Sequence, residues 1–158
     1  MTIFADMITL DDIRKPVTAE LEALDEFVDR QFTAEGELLS DMLRYALSAR
    51  GKGIRPMLVM LSAAMNAPVK GAAAGRRACL AAMLVEMIHV ASLIHDDVID
   101  EADMRRGKPS ANARWQSHKA VILGDYILAK NMNIGLQSGQ FDLCLLYTSD
   151  AADDLIGV

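Results

Sequence analysis

Apolar residues recur at intervals of three and four along the first third of the chain, which is the spacing of one face of an α-helix. A first helix is predicted over residues 11–31, capped by Asp11 or Asp12. A second is predicted over residues 35–49 and ends at the glycines of the Gly51–Gly53 turn. The positions expected to face the core are Leu21, Leu24 and Val28 in the first helix and Leu38, Leu39, Met42, Leu43 and Ala46 in the second.

The chain after the Gly51–Gly53 turn contains longer runs of apolar sequence. A third helix is predicted to begin near Pro56, which a first helical turn tolerates, and to end by Pro68. The longest helix is predicted over residues 76–101, and it is apolar nearly all round, which is typical of an element enclosed by others. A basic turn at 105–109 follows it, and a further helix is predicted over about residues 111–129.

The composition favours one all-α globular domain. Only four prolines and ten glycines interrupt residues that mostly favour helix. With 52% hydrophobic and 24% charged residues, the 158-residue chain is not expected to be disordered. Its formal net charge of −6 argues against a nucleic-acid-binding surface, so any phosphate site must be local.

Several features predict a cytoplasmic protein without a transmembrane segment. Cys79 and Cys144 are far apart and match neither a zinc-binding nor a disulfide spacing, which favours a reducing compartment. The N-terminus lacks the basic start and the apolar run of a secretory signal. The apolar stretch at 78–94 carries Glu86 and His89 near its middle, where a bilayer makes them costly, so it is expected to be a buried helix.

One face of the longest predicted helix is polar. At about 100° per residue, roughly a third of its circumference carries Glu86, His89, Asp96, Asp97 and Asp100, with Ser92 at the edge. No lysine or arginine accompanies these acids between residues 79 and 104, so we expect them to lack local partners. Asp96 and Asp100 stand one turn apart, which lets both carboxylates bind a Mg²⁺ ion that also takes phosphate oxygens. An acidic helix end that is simply exposed to solvent is the alternative.

Basic residues on both sides of this helix are candidates for holding phosphate oxygens. Arg105 and Arg106 follow the aspartates, and Arg114 lies further downstream. Lys52 and Arg55 lie in the glycine-flanked turn, where they are equally typical of exposed turn residues.

His89 has a structural and a functional interpretation. A histidine on a mostly apolar helix is more often a core residue than a ligand, and the sequence favours the core. Glu86 and His89 also have the spacing found in dimetal carboxylate bundles, but such bundles need a second Glu-x-x-His motif. The other histidines, His95 and His118, have no glutamate at that spacing.

The ordered motifs of the chain are Gly51-Lys52-Gly53-Ile54-Arg55-Pro56, Glu86-Met87-Ile88-His89, Leu93-Ile94-His95-Asp96-Asp97-Val98-Ile99-Asp100, Arg105-Arg106-Gly107 and Gly124-Asp125-Tyr126. Over about residues 10–142 this series resembles the trans-isoprenyl diphosphate synthases. The resemblance implies an all-α helical bundle of the isoprenoid synthase type. It also implies a Mg²⁺-dependent trans-prenyltransferase that condenses isopentenyl diphosphate with an allylic prenyl diphosphate.

The resemblance assigns roles to individual residues. Asp96 and Asp100 would hold Mg²⁺, with Asp97 as a supporting carboxylate of the same catalytic group. Arg105 would bind the allylic diphosphate. The residues that would bind isopentenyl diphosphate are Lys52, Arg55, His89 and Arg106. Gly53 stands where the family usually has an arginine, so one cation of that site is missing.

Two small residues bear on product length. In this family, large side chains four or five positions before the first aspartate block the growing chain, and Ser92 and Ala91 occupy those positions here. The resemblance therefore implies a deep channel and a long polyprenyl product of the kind that becomes a quinone side chain. Farnesyl or geranylgeranyl synthesis is the nearer alternative.

The end of the chain departs from the family. Such enzymes have a second aspartate-rich helix, and Asp150, Asp153 and Asp154 lack the apolar helix that precedes it. The last residues look like translated sequencing-adapter sequence. We therefore expect residues 1–142 to be the N-terminal half of a truncated synthase domain that is inactive alone and homodimeric when full length. Residues 143–158 are expected to be a poorly packed, non-native tail.

Other functions fit parts of the same pattern. A terpene cyclase also uses an Asp-Asp-x-x-Asp motif, but it needs no second diphosphate site, and the basic motifs favour chain elongation. A non-catalytic helical subunit of a heteromeric synthase and a plain helical interaction domain are the remaining alternatives.

Overall fold

The computed structural model describes residues 8–48, 51–67 and 75–143. The regular secondary structure of the described residues is helical apart from one two-stranded hairpin, which confirms the predicted all-α class. The elements are α1 (Leu10–Arg14), a 3₁₀ turn (Lys15–Val17), α2 (Thr18–Gln31), α3 (Glu37–Ser48), α4 (Ile54–Met65), α5 (Arg76–Ile99), β1 (Met104–Arg105), β2 (Lys108–Pro109), α6 (Ala111–Trp115) and α7 (Ser117–Gln137). Of the predicted tail only Leu143 is described, and its side chain is buried.

The first predicted helix is divided in two. Pro16 lies in the 3₁₀ turn between α1 and α2, where its missing N–H removes a helical hydrogen bond. The N-terminal cap is Thr9, not Asp11 or Asp12. The Thr9 hydroxyl accepts from the Asp12 amide at 3.2 Å, and the Asp12 carboxylate accepts from the Thr9 amide at 3.0 Å. This reciprocal capping box starts α1.

Helices α3 and α4 largely follow the predicted pattern. Met42, Leu43 and Ala46 are buried in α3, but Leu38, which was predicted to face the core, is half exposed. Helix α4 begins just before Pro56, directly after Gly53, whose φ of 62° is left-handed and favours glycine. The predicted helix end at Pro68 lies outside the described residues.

Helix α5 is the central element, as the sequence predicted. It packs against α2, α4, α6 and α7, and its Met83, Leu84 and Met87 are almost completely buried. Among the described residues, α5 alone is long and apolar enough to cross a membrane. Its packing within the bundle and the burial of Glu86 are those of a core helix.

The basic segment after α5 is a β-hairpin, which the all-α prediction did not include. Met104 pairs with Pro109 and Arg105 with Lys108. Arg106 and Gly107, the two residues of the turn, have φ of 52° and 76°, the pair of positive values that a type I′ turn requires. The helix predicted downstream is also divided, because Gln116 adopts a φ of 73° between α6 and α7.

Candidate functional site

Asp96 and Asp100 form an exposed acidic pair at the end of α5. The backbone is helical between them, with the Asp100 amide donating to the Asp96 carbonyl at 2.8 Å, so both side chains lie on one face. Residues four apart in a helix have Cβ atoms about 5–6 Å apart. In the described part of the chain, neither carboxylate has a hydrogen bond or an ion pair. Two free carboxylates this close fit Mg²⁺, which needs only one or two protein ligands beside water and phosphate.

Asp97 differs from its two neighbours because it is buried and paired. Its side chain is 4% exposed, and the Arg105 Nε atom donates to Oδ1 at 2.8 Å and to Oδ2 at 2.7 Å. The Arg105 Nη2 atom lies 2.6 Å from Oδ1. The expectation that these acids lack local partners is therefore wrong for Asp97, because the hairpin returns a cation that lies beyond the helix in sequence.

The hairpin that carries the two arginines is fixed at several points. The Ser110 hydroxyl donates to the Ala102 carbonyl at 2.5 Å, and the Ser110 amide donates to the Asp103 carbonyl at 2.8 Å. From α3, the Tyr45 hydroxyl donates to the Pro109 carbonyl at 2.6 Å. Bonds to both ends of the hairpin hold its arginines in a defined place relative to α5.

Arg106 brings the hairpin against the glycine-flanked turn before α4. Its guanidinium lies so close to the Gly51 backbone that a Cβ atom there would stand 2.5 Å from Arg106 Cζ. Arg14 supports the same turn, because its Nη2 atom donates to the Lys52 carbonyl at 2.6 Å. Lys52 and Arg55 are exposed beside it. The structure thus brings together basic motifs that are far apart in sequence.

His89 lies in this cationic region and not in the core, so the core interpretation favoured from the sequence is wrong. The residue is partly exposed and lines a pocket together with Tyr45, Gly51, Asp97, Arg105 and Arg106. Partial burial is the largest cause that lowers the pKa of its imidazole, and the positive charges of Arg55, Arg106 and Arg105 lower it further. Asp96 acts in the opposite direction.

The two residues predicted to govern product length lie in different environments. Ser92 is exposed on the same face as Asp96 and Asp100, and its hydroxyl donates to the His89 carbonyl at 2.9 Å. Ala91 is buried, with 2% of its surface exposed. Ser92 is therefore the one of the two that borders the acidic face.

Arg114, a sequence candidate for phosphate binding, is held by aromatic rings. Its Cζ atom lies 4.7 Å from the Tyr45 ring centroid and 4.8 Å from that of Trp115. The two rings meet edge to face with centroids 5.1 Å apart. Sequence reasoning did not identify Tyr45, because its contacts with α6 and the hairpin join segments that lie far apart in the chain.

Gly124, in the Gly-Asp-Tyr motif, allows a close contact between α5 and α7. The His95 ring packs directly on its Cα, where a side chain would collide, and His95 Nε2 lies 3.3 Å from an Asp125 carboxylate oxygen. A glycine inside a long helix is costly, and this cost was the available signal of close packing. Tyr126 extends the motif away from this contact, donating from its hydroxyl to the Thr33 carbonyl at 2.9 Å.

The described residues contain no cluster of three or more histidine, cysteine or acidic side chains that could hold a metal ion by themselves. This excludes a closed protein cage within that part of the chain. The arrangement that is present is an open one: Asp96 and Asp100 are exposed at the end of α5, and the buried Asp97 between them holds Arg105 of the hairpin.

Comparison with known proteins identifies the family. The polyprenyl synthetase profile matches residues 36–156. The chain is 42% identical over 113 residues to the nonaprenyl diphosphate synthase of Mycobacterium tuberculosis, which covers 72% of this chain and 32% of that protein. It is 34% identical over 123 residues to the all-trans-nonaprenyl-diphosphate synthase (geranyl-diphosphate specific) of Rhodobacter capsulatus, covering 78% and 37%.

The fold comparison agrees with the sequence comparison. A decaprenyl diphosphate synthase from Rhodobacter capsulatus superposes with a TM-score of 0.71 at 30% identity, covering 82% of this chain and 38% of the other. The chain thus spans a little over a third of the length of that structure and about a third of the curated relatives. The match over most of its residues, in sequence and in fold, shows that the chain belongs to the polyprenyl synthetase family.

Proposed function

We propose that this chain provides the first diphosphate-binding half of a Mg²⁺-dependent trans-prenyltransferase. The enzyme would condense isopentenyl diphosphate with an allylic prenyl diphosphate to make a long all-trans polyprenyl diphosphate. Relatives with the names nonaprenyl, octaprenyl and heptaprenyl diphosphate synthase support a long product. The quinone side chain is the expected use of such a product.

The observation that carries the proposal is the free pair of carboxylates beside a fixed cationic hairpin. Asp96 and Asp100 are exposed and lack protein partners among the described residues. Arg105 is held next to them by the buried Asp97. Carboxylates alone would repel a diphosphate, but carboxylates that share an ion with it and arginines that bind its oxygens directly are complementary to it.

Asp96 and Asp100 would hold the metal ion in this proposal. Bound Mg²⁺ would supply positive charge that stabilises diphosphate as it leaves the allylic carbon. Arg105 would bind oxygens of the allylic diphosphate from the side of the hairpin. These groups are fixed before the substrate arrives, so little reorganisation is needed when charge develops on the leaving group.

The second diphosphate, that of isopentenyl diphosphate, would bind the cations around His89. Arg106 packs on Gly51, and the electrostatic effect of Arg55 on His89 indicates that these charges lie near one another. Lys52 adds an exposed ammonium in the same turn. Two diphosphate sites on adjacent sides of α5 suit chain elongation better than cyclisation, which needs one.

The growing hydrocarbon would follow the remainder of the exposed face of α5. Ser92 lies one turn before Asp96, and Ala81, Val85 and Ile88 continue the face as half-exposed apolar or small side chains. A half-exposed apolar surface of this kind suits a hydrocarbon chain, which would itself cover the face from water once bound. Small residues next to the aspartates leave room for a long product.

Binding of magnesium diphosphate tests the proposal directly. Isothermal titration calorimetry with inorganic pyrophosphate in the presence and absence of Mg²⁺ should show binding only when both are present. Asp96→Asn and Asp100→Asn should each weaken it about tenfold, because a charge-assisted interaction contributes about 1.5–3 kcal/mol. Glu22→Gln, an exposed acid on α2, is the matched control and should bind like the wild type. Binding that ignores Mg²⁺ or the two aspartates would contradict the proposal.

A subunit of a heteromeric synthase is a second candidate. It is favoured by the 39% identity over 113 residues to a protein named heptaprenyl diphosphate synthase component 2 from Geobacillus stearothermophilus. Labelled isopentenyl and farnesyl diphosphates, incubated with the chain alone and with a complete synthase, separate the candidates. Product formed only in the mixture favours the subunit.

Oligomeric state and location are further parts of the proposal. Ile122 and Leu128 are exposed apolar residues on α7, which supports a homodimer in the full-length form. Cys79 is a free thiol, which supports the reducing cytoplasm. Light scattering of the purified protein and fractionation of cells that express it test these two statements.

A further inference from the structure

We propose that Arg14, on α1, is a further cation of the diphosphate site at the glycine-flanked turn, and that Gly53 leaves open the space in which its guanidinium meets that turn. Arg14 lies 38 residues before Lys52 in the chain and belongs to none of the motifs that surround the turn. The inference rests on the proposed function and deepens it, because it adds a binding residue from the first helix to the site of the second diphosphate.

The Arg14 guanidinium lies against two adjacent residues of the turn. Its Nη2 atom donates to the Lys52 carbonyl at 2.6 Å. The same atom would stand 3.6 Å from a Cβ atom at Gly53, which is an ordinary contact distance. A side chain at position 53 would therefore begin in contact with the guanidinium, and a long one would compete with it for space. Glycine leaves this side of the turn to Arg14.

Packing of the segment after Arg14 fixes its position. The 3₁₀ turn that follows it packs against α4, and Val17 in that turn is completely buried. The Thr18 hydroxyl donates to the Arg14 carbonyl at 3.2 Å. Because α4 begins directly after Gly53, these contacts hold Arg14 and the glycine-flanked turn in one arrangement.

The positive charge of Arg14 has no counter-charge in the part of the chain that the structure describes. Among those residues its guanidinium bonds only to the neutral Lys52 carbonyl and forms no ion pair. Its Nε atom is buried and finds no hydrogen-bond acceptor there either. A buried N–H group without an acceptor is costly. A bound anion would remove this cost, because its oxygens accept hydrogen bonds and neutralise the guanidinium.

The cavity beside Arg14 adjoins the pocket of the other cations. It has a volume of about 230 Å³ and shares Gly51 and Glu86 with the pocket that contains Arg106. Asp25 and Glu86 are the acids in its wall, and both interact with other groups. Arg106 and Arg14 thus approach the two glycines of one turn. Several cations around one site suit a diphosphate, which carries more than one negative charge.

Calorimetric titration with isopentenyl diphosphate in the presence of Mg²⁺ tests the inference. Arg14→Gln should weaken binding about tenfold, because it removes one charge-assisted hydrogen bond. Lys15→Gln is the matched control, since it removes the same charge from the neighbouring residue, whose exposed ammonium pairs with Asp12. It should bind like the wild type. Wild-type affinity in Arg14→Gln would overturn the inference.

Moving the charge to position 53 separates a binding role from a purely structural one. In the Arg14→Gln background, Gly53→Arg places a guanidinium on the same side of the turn and should recover most of the lost affinity. Gly53→Gln in that background has the same left-handed backbone but no charge, and it should recover none. Equal affinities of the two double variants would overturn the inference.

Arginine side-chain NMR of the wild-type protein makes the test independent of whether a variant folds. At saturating isopentenyl diphosphate and Mg²⁺, the Arg14 Nε–H signal should shift and its exchange with water should slow, because the group gains an acceptor. The internal control is Arg30, whose Nε already donates to the Glu26 carbonyl at 3.1 Å and whose signal should not move. An unchanged Arg14 signal would contradict the inference.

The outcomes also separate this inference from the proposed function. If the wild type binds isopentenyl diphosphate and Arg14→Gln binds it equally well, only the inference is wrong. If the wild type binds magnesium pyrophosphate but not isopentenyl diphosphate, the metal site stands and the inference is wrong. If the wild type binds neither ligand, the proposed function fails and the inference fails with it.

Discussion

Replacement of Gly51 by alanine should impair ligand binding without unfolding the protein. The added Cβ would lie 2.5 Å from Cζ and 2.6 Å from Nη2 of Arg106, whereas ordinary contacts between such atoms are about 3.5–4.0 Å. The guanidinium must therefore move by about 1 Å. It is the flexible end of a long side chain on an exposed residue, so the movement costs little in stability.

The expected magnitudes differ between stability and binding. The backbone of Gly51 is not in the left-handed region, so alanine can adopt it, and the loss of freedom in the unfolded chain contributes about 0.4–1 kcal/mol of stability. This gain offsets the cost of moving Arg106, and the free energy of unfolding should change by less than about 1 kcal/mol. One misplaced charge-assisted hydrogen bond of about 1.5–3 kcal/mol weakens anion binding about 10- to 100-fold.

Urea unfolding and calorimetry with magnesium pyrophosphate measure the two effects on the same samples. Gly75→Ala is the matched control, because a Cβ at Gly75 meets nothing within 4 Å and its φ is −73°. Arg106→Gln gives the effect of losing the cation altogether. Wild-type affinity in Gly51→Ala together with weak binding in Arg106→Gln would refute the argument, since Arg106 would then not need its place against Gly51.

Three further predictions follow from single contacts. Ala91→Phe should lower the free energy of unfolding by about 1–3 kcal/mol, because it overpacks a buried site. Ser92→Phe should leave urea unfolding nearly unchanged, because Ser92 is exposed, and should shorten the product of an active enzyme. Equal stability losses in the two variants would contradict this. The pKa of His89, measured by NMR titration, should lie below 6.5. The contribution of the neutral imidazole to the free energy of unfolding is therefore complete above pH 6.5 and is lost as the pH falls through the lowered pKa. A measured pKa above 6.5 would refute this. Tyr45→Phe should cost about 1 kcal/mol in urea unfolding by removing the hydrogen bond to Pro109, and no loss would show that water replaces it fully.

The helical architecture followed closely from the sequence, because its signals are local. The long apolar run of α5 predicted a central helix, and the central position is confirmed. The breaks were harder to predict. Pro16 and Gln116 each divide a helix that the hydrophobic pattern left continuous, since periodicity averages over several turns and does not register one unusual residue.

The hairpin at 104–109 illustrates a signal that was present and not used. Its turn residues, Arg106 and Gly107, include one glycine, which suits a type I′ turn, but two-residue strands are too short for an alternating pattern. The basic charge of the segment was predicted correctly. Its conformation, which fixes where Arg105 and Arg106 lie, was not.

In the candidate site, too, some positions followed from the local sequence pattern and others did not. Spacing along one helix sufficed to place Asp96 and Asp100 on a common face, because that face depends only on helical periodicity. The assignments of Lys52, Arg55 and Arg106 to diphosphate binding remain predictions, and so do the expected tail at 143–158 and the boundary before it, which sequencing of the native locus would test.

The sequence by itself determined the family, the helical class and the residue types available for binding diphosphate, since these depend on composition, periodicity and the order of short motifs. Only the tertiary structure decided which aspartate is buried. Asp97 and Asp96 are adjacent and chemically identical, and they differ because one faces the returning Arg105 and the other faces solvent. Contacts that close long loops are set by packing of the whole bundle and leave no periodic trace in the sequence.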